Sequence, residues 1–406
     1  MLHKNRTWRI LALFLMPALL FMAACGDDDN DSSTDTTAAG DTTAPGGDGG
    51  DAKEFSLAFV GPLTGDAANL GIFIRDGASV AIEEFNEANP DYKITLEEFD
   101  TQGDPAQAPT VLDKYINNED ILGLVGPAFS GETKAVLPTL DENGLVMVSA
   151  SATNADLPTV VPDGKSFHRI LADDAAQAAG VAKYLTAELK PETIAIVHDN
   201  SEYGKGLAID QLAPQLEGIE VVATEAIDPD SEDYSAAVNT VKTADPDVVF
   251  FGGYYEEAGT LAKQLKDEGV EATFISGDGS LDSGFIEAAG DAAEGAQLSC
   301  PCNLATESSE GGLGEFATKY KESIGNDPGT YSTEAYDAAN ILMAGIKDGN
   351  EDRESLLEYV EGLTDVADAI SKEIVFEENG NIEAQGVFLF EVKDGKFAPL
   401  VATDDL

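Results

Sequence analysis

The chain has 406 residues, with 23 Lys and Arg against 76 Asp and Glu, for a net charge of −53. No basic surface is available to neutralise a phosphate backbone, so nucleic acid is excluded as a partner. The length exceeds what one hydrophobic core holds, which predicts more than one domain.

Lys4, Arg6 and Arg9 precede an apolar run of 13 residues, Ile10 to Met22, which is followed by Ala23, Ala24 and Cys25. A basic start, a short apolar run and small residues before a cut make a secretory signal. Cysteine directly after them gives the form of a lipobox, with Cys25 lipidated as the first mature residue and Met22 in place of the usual leucine. The alternative, a transmembrane anchor, needs roughly 18 apolar residues or more, and this run is shorter and interrupted by Pro17. Either way the body is placed outside the cytoplasm at a membrane surface. Loss of residues 1–24 removes three basic and no acidic residues, moving the net charge to −56. So much acid reads either as solubility or as adaptation to high salt, where self-repulsion is screened. Residues 26–51 are nearly all Asp, Thr, Ser, Ala and Gly. They cannot bury enough apolar surface to offset ordering, which predicts a disordered tether spanning roughly 25–30 Å.

From Phe55 onward short apolar runs alternate with helical patterns. Strands are predicted at Phe55–Val60, Ile94–Phe99, Ile121–Val125 and Leu145–Val148, with helices near 71–88, 105–118 and 131–142. Asp104 and Pro105 read as a helix cap and a first-turn proline. The rhythm repeats with strands Thr193–His198, Val221–Glu225, Val248–Phe251 and Thr273–Ser276 and helices near 174–189, 202–217, 233–244 and 255–268. Residues 311–361 read as helices, followed by short strands Glu373–Phe376 and Val387–Val392. The βαβα pattern implies α/β architecture with parallel sheets. We expect two Rossmann-like lobes, 54–171 with 300–385 and 172–299 with 386–406, the chain crossing near Leu171, Cys300 and Gln385–Gly386.

Signals for catalysis are poor. There is no G-x-S-x-G elbow and no Walker A run, and the first turn, Gly61-Pro62-Leu63-Thr64-Gly65, lacks dinucleotide spacing. His168 and His198 are the histidines left after the signal, and both read as structural or surface residues. Asp228 to Asp233 lacks the glycine and closing glutamate of a calcium loop and reads as an acidic turn. Cys300 and Cys302, separated by Pro301, predict a local disulfide; a metal would need two more ligands, and none lie near. No cofactor or metal is implied.

In open α/β sheets ligands sit beyond the carboxyl ends of strands. Gly126 to Gly131 and Ser149 to Thr153 offer hydroxyls and backbone amides there, suited to a carboxylate. Tyr203, Tyr254 and Asp278 follow later strands, and one carboxylate among aromatic rings suits an ammonium group.

Ala195-Ile196-Val197-His198-Asp199, Tyr203-Gly204, Gly206-Leu207-Ala208 and Phe251-Gly252-Gly253-Tyr254 resemble the leucine/isoleucine/valine-binding proteins, solute-binding components of ABC importers, over nearly the whole mature body. The resemblance implies a periplasmic-binding-protein type I fold, two lobes with a three-crossover hinge closing on one amino acid. It places Ser130, Thr153 and the backbone of Ser151 and Ala152 at the ligand carboxylate, and Thr153 and Asp278 at the ammonium. Tyr203 and Tyr254 line the second lobe, with Tyr331 and Leu70 bordering the side-chain pocket. Two departures stand out: Asp278 replaces a common glutamate, and Phe129 occupies a position of a first-lobe disulfide. The implied role is an extracytoplasmic, lipid-anchored, monomeric binder that delivers a branched-chain amino acid to an ABC permease, and not an enzyme. A sensor ectodomain, or a binder of an amide, urea or aromatic acid on the same fold, is the alternative; an extracellular hydrolase lacks a nucleophile motif.

Overall fold

The structure is a computed structural model and describes residues 52–383 and 386–406. The signal, Cys25 and most of the acidic tether therefore lie outside the described residues. Strands β1 (Lys53–Gly61), β2 (Tyr92–Asp100), β3 (Ile121–Val125), β4 (Val146–Ser149) and β5 (Phe167–Arg169) form a parallel sheet in the order β2-β1-β3-β4-β5. A second sheet holds β6 (Thr193–His198), β7 (Glu220–Ala226), β8 (Val248–Gly252), β9 (Thr273–Ser276), β10 (Gln297–Cys300), β11 (Phe388–Lys393) and β12 (Lys396–Ala402). Its order is β12-β11-β10-β9-β8-β6-β7.

The central strands β3 and β8 are buried along their whole length, as continuous apolar runs covered by helices on both faces require. The edge strand β7 has only exposed and half-buried positions and no fully buried one. In each sheet the order turns back once, between β1 and β3 and between β6 and β8. At these points helices leave to opposite faces and open a crevice at the strand ends. The second crevice is closed tightly by glycines. A β-carbon on Gly204 would lie 2.4 Å from the Gly252 carbonyl oxygen, so helix start and strand end can meet only without side chains. Beside the first crevice Gly126 takes a φ of 118°, and a β-carbon there would sit 2.5 Å from the Val60 oxygen.

The late chain serves both sheets. Helix 332–347 packs on helix 68–88 and on β3 and β4, whereas β11 and β12 extend the second sheet by antiparallel pairing. That antiparallel edge departs from the purely parallel expectation. Strands β5, β10 and β12 lie beyond the sequence expectation: β5 and β10 are only three and four residues, which become strands only when a neighbour pairs with them, and the seven-residue β12 contains Pro399 and forms at the sheet edge by pairing with β11. The expected strand Glu373–Phe376 is absent as such; Ile374 and Phe376 make isolated bridges to Val366 and Ile382. The helix expected from Pro105 begins at Ala108, after turns in which the Asp104 carboxylate accepts from the Ala106 amide at 2.8 Å. The helices predicted at 174–189 and 202–217 pass into π turns at Leu185–Leu189 and Gly206–Leu212. Cys300 and Cys302 are joined by a disulfide at the end of β10, where the chain leaves the second sheet. No helix among the described residues is long and apolar enough to cross a membrane.

Candidate ligand-binding site

The turns after β3 and β4 are stitched together by their hydroxyls. Ser149 Oγ donates to the Pro127 oxygen at 2.8 Å and accepts from the Ala152 amide at 3.0 Å. Ser151 Oγ donates to the Ala128 oxygen at 2.5 Å, and Ser130 Oγ accepts from the Asn154 amide at 3.1 Å. Ser130 opens helix 130–142, so free first-turn amides surround it. Beneath it Glu132, fully buried, accepts from the Phe129 amide at 2.8 Å and from the Thr101 hydroxyl. Burial pushes this carboxyl up to about 7.

Arg169, at the end of β5 and fully buried, braces the second turn from behind. Its Nη1 donates to the Ala152 oxygen at 3.1 Å and to the Asn154 oxygen at 2.8 Å, and its Nε donates to Asn381 Oδ1 at 2.9 Å. These bonds hold Thr153 in place, yet Thr153 Oγ1 is buried and has no hydrogen-bond partner.

Opposite these turns stand the ends of β6, β8 and β9. Asp278 is fully buried and accepts from the Tyr203 hydroxyl at 2.7 Å and from the Tyr331 hydroxyl at 2.5 Å. Burial pushes its carboxyl up, and the two phenols oppose that rise. Tyr331 precedes helix 332–347 in a left-handed conformation with φ 70°, a strained choice for an aromatic residue, costing on the order of 1–3 kcal/mol, that the buried charge-assisted bond helps to offset. The Tyr254 ring lies 5.3 Å from Tyr203 and 4.5 Å from Phe129. Leu70, on helix 68–88, belongs to the same buried apolar cluster as Phe129 and Tyr331, against which Tyr254 packs.

The structure thus brings Tyr203, Tyr254, Asp278 and Tyr331 into direct contact and sets Ser130, Ser151, Ala152 and Thr153 in the two stitched turns. The Ser151 hydroxyl is committed to the backbone, leaving its main chain for other partners. The sequence reading missed Asp174 and Gln177. Asp173 caps helix 174–184 by accepting from the Ala176 amide at 2.9 Å, but Asp174 is fully buried and neither of its carboxylate oxygens has a partner. Burial, then the charge of Asp278, raise its carboxyl well above the usual range, and Thr153 and Arg169 lie beside it. Gln177, one turn on, donates to Ser299 O and Oγ at 3.0 and 3.1 Å while its Oε1 is unpartnered. Two aspartates at a helix start, where one suffices as a cap, was the available signal.

The groups excluded by sequence stay outside this cluster. His198 Nδ1 accepts from the Asn200 amide at 3.0 Å, a turn contact, and His168 packs edge-on against Phe376 at 5.2 Å. Asp228 accepts from the Asp230 amide and Asp233 from the Ser235 amide. Among the described residues no group of three or more His, Cys, Asp or Glu could hold a metal ion.

Contacts between the two sides seal the cluster. Asn154 Nδ2 donates to the Glu202 oxygen at 2.7 Å, Asn69 Nδ2 to Asp282 Oδ1 at 2.9 Å, and Lys134 pairs with Glu202 at 2.7 Å.

Two sheets whose strand ends face each other across a sealed polar cluster define a solute-binding architecture. The periplasmic binding protein family matches residues 54–396, and the chain belongs to it. Its relatives are Leu/Ile/Val-binding proteins. It is 33% identical over 350 residues to Leu/Ile/Val-binding protein BraC3 of Rhizobium johnstonii, spanning 84% of this chain and 93% of that one. It is 29% identical over 337 residues to the leucine-, isoleucine-, valine-, threonine- and alanine-binding protein of Pseudomonas aeruginosa, spanning 82% and 88%. In structure it is similar to the isoleucine complex of LivJ from Streptococcus pneumoniae, with a TM-score of 0.78 at 23% identity over 86% of this chain and all of that one. The leucine-binding protein LivK of Thermotoga maritima gives a TM-score of 0.77 at 25% identity, over 87% and all of it. These relatives are binding proteins, and a solute-binding role follows for this chain.

Proposed function

We propose that this protein binds an α-amino acid with a branched apolar side chain between the two sheets and delivers it to an ABC importer, without catalysing its conversion. One observation carries the reading. Both Asp174 oxygens and Gln177 Oε1 are buried acceptors without hydrogen-bond partners, the Thr153 hydroxyl lies unpartnered beside Asp174, and they gather around Asp278, itself already taking two phenol hydrogens. Buried acceptors left unmatched cost roughly 1–3 kcal/mol each, and a primary ammonium, with three donors and a positive charge, offsets that cost. The opposite side, Ser130 and the amides of the stitched turns at a helix N-terminus, suits the carboxylate of the same molecule. Tyr254, Tyr331 and Leu70 supply the apolar wall.

In this reading residues 54–171 with 300–385 form one lobe and 172–299 with 386–406 the other. A ligand touching both favours the closed arrangement by its extra contacts there. Calorimetry with leucine, isoleucine and valine is the test: submillimolar binding of at least one is expected, and a protein that binds no α-amino acid overturns the assignment. The proposal also holds that Cys25 carries a lipid and the chain acts as a monomer outside the cytoplasm. Cys25→Ser should move the protein from the membrane to the soluble fraction, and retention on membranes at high salt would refute the lipid anchor.

A further inference from the structure

Tyr331 stands on one side of the cluster and Asp278 on the other. The turn that carries Tyr331 is fixed to the layer of the first sheet. The Gly329 amide donates to Ser332 Oγ at 3.1 Å, and the Ser332 amide donates to the Gly329 oxygen at 3.2 Å. Helix 332–347 then packs along helix 68–88 so closely that a β-carbon on Gly77 would collide with the Ser332 oxygen. Asp278 is fixed to the second sheet. The Tyr203 hydroxyl that donates to it at 2.7 Å accepts from the Gly279 amide at 2.9 Å, and Ser280 Oγ donates to the Gly253 oxygen at 2.9 Å. The 2.5 Å bond from the Tyr331 hydroxyl to Asp278 Oδ2 therefore joins two firm supports. Beside it the Thr330 hydroxyl donates to the Leu281 oxygen, a second buried bond between the same two segments.

These bonds differ in kind from the other contacts between the sides. The Tyr331–Asp278 bond is buried and ends on a carboxyl, whereas Asn154–Glu202 and Asn69–Asp282 are partly buried and Lys134–Glu202 is exposed. Burial pushes the Tyr331 phenol well above its usual range, so it keeps the hydrogen that it donates. Both partners belong to the chain, so closure by itself makes the bond and opening breaks it. The bond also leaves room for a ligand. Each Asp278 oxygen takes one phenol hydrogen, and each oxygen of a carboxylate can accept a second.

We propose that the Thr330–Tyr331 turn is a latch across the binding site, in which the Tyr331 hydroxyl, acting through Asp278, sets how long a bound amino acid stays. Tyr331 is a positioning residue in this role, and it rests on the reading of Asp278 as the group that holds the ammonium. In the closing mode proposed above, release requires the two sides to part, which breaks the latch bonds. Capture by the open form does not involve them. Loss of the Tyr331 hydroxyl therefore acts on release and spares association, the pattern common to changes at a binding interface.

The test is stopped-flow tyrosine fluorescence of the full mature chain with the tightest-binding of leucine, isoleucine and valine. A hydrogen bond to a charged group is worth about one to two decades in an equilibrium constant. Tyr331→Phe keeps the ring and should release the amino acid roughly 10- to 100-fold faster, with association changed by less than about twofold. A merely structural role would lower stability and leave this ratio of rates alone. Thr330→Val removes the adjoining neutral bond; it should speed release by less than about tenfold, and it serves as the second variant if Tyr331→Phe does not fold. Unchanged release in the variants overturns the latch. Slower release from Tyr331→Phe would mean that the phenol competes with the ammonium for Asp278, and overturns it too. A parent protein that binds no α-amino acid sinks the reading of the site but leaves the latch open to X-ray scattering. Tyr331→Phe without ligand should then have a larger radius of gyration than the parent without ligand, and equal radii overturn the latch.

Discussion

The turns after β3 and β4 and those after β6, β8 and β9 face each other but differ in how their polar groups are settled. On the first side the Ser149 and Ser151 hydroxyls donate to backbone carbonyls, Ser130 Oγ accepts from the Asn154 amide and keeps its own hydrogen, and Arg169 fixes the Ala152 and Asn154 carbonyls. On the second side Asp278 holds phenols from two distant elements, and the nearby Asp174 and Gln177 retain unmatched acceptors. One wall presents hydroxyls and amides held in place by the backbone; the other gathers buried carboxyls with unmatched acceptors. The contrast shows how a zwitterion can be read in the proposed mode: frame against carboxylate, charge against ammonium.

The largest effect should come from the charged side. Asp278→Asn removes the charge but keeps the shape, and loss of one member of a buried charged pair costs about 2–5 kcal/mol, a weakening of roughly 30-fold or more. Calorimetry with the best branched-chain ligand reads it. Unchanged affinity would mean that the charge asymmetry plays no part in recognition.

Glu132 tests the frame. Its folded pKa of about 7 lies above the ordinary 4.5, so the folded state holds its proton more tightly. Its contribution to stability is therefore full below pH 4.5 and is lost as pH rises through 7. Glu132→Gln retains an acceptor for the Phe129 amide without a titrating charge. The variant should gain on the order of 3 kcal/mol relative to the parent between pH 4.5 and 8, measured by denaturant unfolding. Parallel pH curves for the two proteins would show that Glu132 titrates normally and that the frame stores no such cost.

Lys134→Ala should have the smallest effect. The Lys134–Glu202 pair joins the two sides, but both side chains are about half exposed, and such pairs contribute about 0–1 kcal/mol. Ligand affinity should fall by less than about fivefold at low salt and not measurably in 0.5 M salt. A tenfold loss would make the rim, and not the buried cluster, the main tie between the sides.

Much of this was legible beforehand. Runs such as Ile121–Val125 and Val248–Gly252 announce buried parallel strands because both faces must be apolar, and Tyr203, Tyr254 and Asp278 fall where such strands end. Other features were hidden. Phe167-His168-Arg169 becomes β5 only by pairing with β4, and Gln297 to Cys300 becomes β10 only between β9 and β11. Asp174 is indistinguishable in sequence from a second helix cap, and Tyr331 gives no hint that its hydroxyl crosses 53 positions of chain to reach Asp278.

Local sequence therefore determined the βαβα rhythm, the family and the strand ends at which polar residues collect, since periodicity and turn chemistry act over a few residues. Only tertiary structure decided which carboxylates lose their water, which hydroxyls are spent and which acceptors stay unmatched. Desolvation and hydrogen-bond pairing depend on what the rest of the chain brings to the same place, and neither is written in the neighbouring residues.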